Sequence, residues 1–213
     1  VNLNKFILYL GSFILMINLI LHSRSFKIRF GAFRIFCLYL LFAFILQLAS
    51  HLWAEIFKDN LFLSHYYFIG QFIILSLFYY RLTQNKVKRI VVRFTAIVIL
   101  IIVSLLFIND PKIYFRFSVL EIVLCSVPII IYSVLYMFQS IAENKKSLIF
   151  VNSGIFIYML CSTLIFSSGN IMPNLDPSIN VIIWKLNEYI FLLYQILIFV
   201  EWYKHFRKPE VAQ

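Results

Sequence analysis

Residues Ile90–Ile108 read IVVRFTAIVILIIVSLLFI, nineteen positions with one charge, Arg93, and neither Gly nor Pro. As a helix this run covers about 28 Å, close to the roughly 30 Å hydrocarbon core of a bilayer. One such run could be a buried core helix, but six more flank it: Lys5–Leu21, Phe33–Trp53, Leu61–Tyr80, Tyr114–Phe138, Leu148–Phe166 and Val181–Trp202. None shows the two-residue alternation of a barrel strand, and lipid gives an open backbone no partner, so all seven are expected to be helices. The whole chain has this character, at 62% hydrophobic and 13% charged residues over 213 positions. Soluble chains run about 45–50% apolar and about 25% charged. No stretch between runs is long enough to bury a core of its own, which excludes a water-soluble enzyme domain. The expected fold is all-α, a single integral-membrane seven-helix bundle.

The polar breaks alternate in charge. Arg24, Lys27, Arg29 and Arg34 follow the first run, and Arg81, Lys86, Lys88, Arg89 and Arg93 follow the third. Lys145 and Lys146 follow the fifth, and Lys204, Arg207 and Lys208 close the seventh. Fourteen of the nineteen Lys and Arg therefore fall on alternate breaks, with four on the others and Lys185 inside the last run. The positive-inside rule then puts the N-terminus outside and the C-terminus in the cytoplasm. The net charge of +10 is explained by retention of these loops beside anionic lipid headgroups and calls for no nucleic acid.

Polar residues inside a span are costly, which makes each one a candidate site. Gln47, His51 and Glu55 fall on one stripe near the outer end of the second span. His65 and Gln71 lie on the third, Glu121 on the fifth, and Lys185, Asn187 and Glu188 on the seventh at similar depth. The expectation is one outward-facing cavity lined by His51, Glu55, His65, Gln71, Glu121, Lys185, Asn187 and Glu188. Lys185 and Glu188, spaced i, i+3, could equally pair along their own helix. His51 and His65 flank a short hairpin and are the candidates for any shared metal or haem; no cofactor is otherwise legible. The aromatics near span ends, Trp184 among them, read as interface belts.

Two segments carry a resemblance: NLFLSHYYFIGQFIILSLFYY, Asn60–Tyr80, and WKLNEYIFLLYQILIFVEWYK, Trp184–Lys204. They are similar to small seven-helix sensor modules fused to, or encoded beside, bacterial histidine kinases. That resemblance implies a sensor or receptor that binds a small ligand or lipid. It would signal through a separate cytoplasmic or membrane partner, touched at Arg24, Lys27, Arg29, Arg34, Arg81, Lys86, Lys88 and Arg89. The alternatives are a transporter using Glu121, Lys185 and Glu188, a His-ligated metal or haem protein, and a structural subunit of a membrane complex.

Overall fold

A computed structural model describes residues 3–27, 29, 31–57, 60–144, 147–171, 174 and 176–207. Seven long helices follow in order: α1 Leu3–Arg24, α2 Ala32–Phe57, α3 Leu61–Leu82, α4 Lys86–Asn109, α5 Val119–Ala142, α6 Ile149–Ser167 and α7 Pro177–Glu201. A 3-10 turn, Pro111–Phe115, precedes α5, and a π-turn, Trp202–Phe206, extends α7. Among the described residues there is no strand, and six helices, α2 to α7, are long and apolar enough to cross a membrane. At 22 residues, α1 is about 33 Å long.

The helices do not pack in simple sequence order. α1, α2, α3, α5, α6 and α7 form a closed ring of neighbours, and α4 leans on the outside of the ring against α3 and α5. The run that identifies the chain as a membrane protein is therefore among its least buried helices. Ile90, Phe94, Ile97, Ile101, Leu105 and Ile108 of α4 all face outward. Large apolar side chains face out on the other helices too, including Leu41, Ile45 and Leu52 of α2. In water such a surface would aggregate, whereas in lipid it is ordinary.

Polar side chains fix where the helices start. Asn85 Oδ1 accepts from the backbone N–H groups of Val87 and Lys88 and caps α4. Asp176 caps α7 through Ser178, and those hydrogen bonds hold its carboxyl below the usual range. The fifth apolar run starts at Tyr114, but α5 starts five residues later. Pro111 opens a separate 3-10 turn under Asp110, whose Oδ1 accepts from Lys112 N–H at 3.1 Å and whose Oδ2 accepts from Arg116 at 2.7 Å. Ser118 then caps α5.

At α6 the adjacent residue offers no cap. Leu148 stands at the N-cap with φ +63, and its apolar side chain cannot accept a hydrogen bond. Glu201 at the end of α7 supplies the acceptor instead. Its Oε1 takes Leu148 N–H at 2.7 Å and its Oε2 takes Phe150 N–H at 2.9 Å, while His205 Nδ1 lies 2.8 Å from Oε1. The carboxylate is fully buried and sits where the partial positive charge of α6 is greatest. Gly154, midway along α6, lets α7 come close, since a Cβ there would lie 2.7 Å from Cδ2 of Tyr194.

One end of the bundle collects the α1–α2, α3–α4 and α5–α6 connections and is rich in Arg and Lys; we call it the basic end. Several of its cations are engaged with the protein itself. Arg34 donates to the carbonyls of Phe26, Lys27 and Arg29 and ties down the turn that Gly31 makes at φ +68. Arg29 lies over the Phe206 ring at 4.5 Å, and Arg89 donates to Thr83 O at 2.8 Å. Arg24, Lys27, Arg81 and Lys86 are exposed, and Lys88 is half-buried.

Removing the Glu201 carboxylate should leave one buried and one half-buried N–H group without acceptors. Glu201→Ala is expected to cost about 2 kcal/mol or more, read as a lower thermal midpoint in mild detergent. Glu201→Gln, which keeps one acceptor, should lose less.

Candidate functional site

A cavity of about 600 Å³ opens at the end opposite the basic one, between α2, α3, α6 and α7. Its polar wall comes from Gln47 and Ser50 of α2, Asn60 and Ser64 at the start of α3, and Asn187 and Glu188 of α7. Phe117, Phe166 and Trp184 form an aromatic corner, with Trp184 5.6 Å from Phe166 and 6.4 Å from Phe117, centroid to centroid. Tyr67, Tyr158 and Phe191 line its deepest part. Volume and lining are those of a site for a small organic molecule.

Most of the polar wall is internally satisfied. Asn60 donates to Ser50 Oγ at 2.6 Å and to Ser50 O at 3.2 Å, joining α2 to α3 across the mouth. Ser64 donates to Leu61 O at 2.6 Å, and Gln47 Nε2 lies 3.1 Å from His51 Nε2. Two groups differ. Asn187 Oδ1 and Glu188 Oε2 are both buried with no hydrogen-bond partner. They are adjacent on α7, and both residues line the cavity. The i, i+3 pairing with Lys185 therefore does not close on that buried carboxylate oxygen.

The floor is polar but closed. Tyr67 donates to Tyr158 OH at 2.9 Å, and Tyr158 stacks on Tyr194 with ring centroids 5.2 Å apart. Beneath lies a satisfied network, in which Asn152 Oδ1 accepts from Tyr79 OH at 2.7 Å and from Ser133 Oγ at 3.1 Å, and Asn152 Nδ2 donates to Ser133 O at 3.0 Å. Asn18 of α1 donates to the carbonyl and side-chain oxygens of Gln195 at 2.9 and 3.1 Å.

The residues singled out from the sequence divide into separate places instead of lining one cavity. Asn187 and Glu188 line it, and His51 stands just behind, bonded to Gln47 with its ring 6.3 Å from Tyr9. Glu55, two turns beyond Gln47 on α2, is exposed. Lys185 is half-buried and does not line the cavity, because about 100° per residue carries it round the helix from Trp184. Gln71 is buried and directs its amide to the sulfur of Met159.

His65 and Glu121 pair elsewhere, where α3, α4 and α5 meet. His65 Nδ1 is 2.7 Å from Glu121 Oε2, and the side chains are only 4% and 1% exposed. The imidazole stacks on Tyr114 at 5.9 Å and meets Phe107 edge-on at 5.3 Å. His51 and His65 thus have different partners and share no ligand position. Among the described residues no three His, Cys, Asp or Glu side chains come together to hold a metal.

Sequence reasoning missed the aromatic corner because Trp184 near a helix end reads as an interface anchor. The signal was present in spacing: Trp184, Asn187, Glu188 and Phe191 stand at i, i+3, i+4 and i+7, one stripe of α7. Phe117 carries no such signal, since it lies outside any helix.

No family model, curated protein or solved structure matches this chain.

The His65–Glu121 pair should behave as a unit. His65→Leu alone strands a buried carboxylate and is expected to cost about 3–5 kcal/mol. His65→Leu with Glu121→Leu should recover most of that loss. Denaturant unfolding of the four members of the cycle reads the coupling.

Proposed function

We propose that this chain is a receptor-like protein of a bacterial inner membrane, holding a small ligand or lipid in its cavity and acting through a partner at the basic end. The seven helices would cross with the N-terminus outside, placing the cavity mouth on the exterior and the Arg- and Lys-rich turns in the cytoplasm. The observation that carries this reading is the cavity itself, with two buried acceptors left without donors. Buried polar groups are normally bonded, and both of these belong to residues that line the cavity.

A receptor also needs occupancy to favour one helix packing over another. The arrangement of α7 supports this. The same helix lines the cavity from Trp184 to Phe191 and, thirteen residues beyond Glu188, caps α6 with Glu201. That separation is about 20 Å along one rod. A small rotation or slide of α7 on ligand binding would move the Glu201 carboxylate against the first turn of α6, at the end of the bundle that also carries the exposed cations Arg24, Lys27, Arg81 and Lys86. Transport would need the Tyr67–Tyr158 floor to part.

Native mass spectrometry of the chain in lipid nanodiscs tests the reading. About one small molecule or lipid should be retained per chain, and Ser64→Trp, which fills the cavity, should release it. Retention unchanged by Ser64→Trp would remove the cavity from the function, and solute uptake by liposomes carrying the protein would replace receptor with transporter. For the threading, an impermeant maleimide applied to intact cells should label Ser178→Cys and spare Asn85→Cys.

A further inference from the structure

The chemistry of the lining narrows what the cavity can hold. Among the described residues its wall has one ionisable carboxylate, Glu188, and no Lys, Arg or His. The two groups that lack partners are both acceptors, Asn187 Oδ1 and Glu188 Oε2, on consecutive residues. Three donors of the wall are already engaged, Asn60 on Ser50, Ser64 on Leu61 O and Tyr67 on Tyr158. A ligand entering this site therefore meets a wall with an acidic side chain and no basic one. A carboxylate or phosphate would meet the reverse of what it needs, beside a like charge.

The remaining surface is aromatic and apolar. Phe117, Phe166 and Trp184 stand together on one side, with Tyr158 and Phe191 further in. Aromatic faces attract cations as well as apolar bodies. Lys185, the nearest cation along α7, lies outside the lining and leaves Glu188 Oε2 unpaired. His51, the nearest imidazole on α2, is turned to Gln47.

We propose that the cavity binds a primary amine carried on an apolar or aromatic body, its ammonium paired with the Glu188 carboxylate and its body packed against Trp184, Phe166 and Phe117. A primary ammonium brings three N–H donors and one positive charge, which neutralises the carboxylate and leaves donors over for other polar groups of the wall. This inference rests on the cavity being a ligand site and adds the ligand's class.

Three probes of nearly one shape separate the possibilities: phenethylamine, the neutral 2-phenylethanol and the anionic 3-phenylpropionate. Each is titrated by calorimetry into the full chain in nanodiscs, beside empty nanodiscs. Phenethylamine should bind one per chain, 2-phenylethanol at least tenfold more weakly, and 3-phenylpropionate not at all. Glu188→Gln should weaken phenethylamine at least tenfold and leave 2-phenylethanol within twofold, which also shows that the variant is folded. Trp184→Ala should weaken both.

Equal binding of amine and alcohol to the native chain, or amine binding unchanged in Glu188→Gln, overturns the amine while leaving the cavity a ligand site. Tighter binding of the anion overturns it in the same way. Binding by none of the three, together with a co-purified molecule that Ser64→Trp does not release, overturns both the amine and the cavity reading. Should Glu188→Gln fail to hold 2-phenylethanol, the ranking of the three probes on the native chain decides alone.

Discussion

Every part of this bundle answers to one constraint: a polar group among apolar helices in lipid has no water to fall back on and must find its partner inside the protein. An unmet amide or hydroxyl costs several kcal/mol in such surroundings. The chain meets the demand at three levels. Near the basic end, Glu201 reaches from α7 to the unsatisfied first turn of α6. In the middle, Asn152 of α6 joins Tyr79 of α3 to Ser133 of α5. Toward the other end, Tyr67 joins Tyr158 and Asn60 joins Ser50. Each bond ties one helix to another, so satisfying polar groups and specifying which helices are neighbours are the same act.

The ring of six with α4 outside follows from where these groups lie. α3 has polar partners on α6 and α5, and α1 has one on α7, all pointing inward. Between Arg93 and its C-terminus, α4 offers Thr95 and Ser104 as its polar side chains. Ser104 donates to Leu100 O on its own helix. With so little to exchange with the interior, α4 loses nothing by facing lipid, and its apolar periphery has no need of burial. Glycines help where polar bonds do not: Gly154 admits Tyr194 and Gly70 admits the ring of Phe42, shortening the distance between backbones as small residues do in membrane bundles.

Much of this architecture was legible in the sequence, and the reasons for what was not are physical. The number of long helices follows from run length, because a bilayer-sized apolar segment has few other fates. Helix starts were less legible: the Tyr114 run merges with the end of the Asp110–Pro111 turn because Ile113, Tyr114, Phe115 and Phe117 are apolar without being helical. Asn187 and Glu188 could be placed at cavity depth from their position on the seventh run. Their separation from His65 and Glu121 could not, since depth along a helix is read from sequence position while the angle around the bundle depends on which helices are neighbours. Nothing in the sequence announces that α3 contacts α5 across a gap left by α4. Glu201 was invisible for the same reason, because its partners are the backbone of Leu148 and Phe150, fifty residues away and without side-chain polarity to advertise the need.

Of the several places where the internal accounting is incomplete, two differ in kind. In the His65–Glu121 pair, each side chain gives its principal bond to the other and leaves one buried atom over, His65 Nε2 and Glu121 Oε1. Aromatic rings close round the imidazole, so this pair is sealed among its neighbours and holds α3 to α5. At Asn187 and Glu188 the spare atoms belong to residues lining a cavity large enough for a molecule, and no side chain crosses that space to meet them. A buried pair whose members bond each other holds helices in place. A carboxylate left over at a hollow wall holds nothing until something enters. The difference between these two acidic residues, at similar depth in one bundle, is the reason to regard Glu121 as part of the scaffold and Glu188 as part of the site.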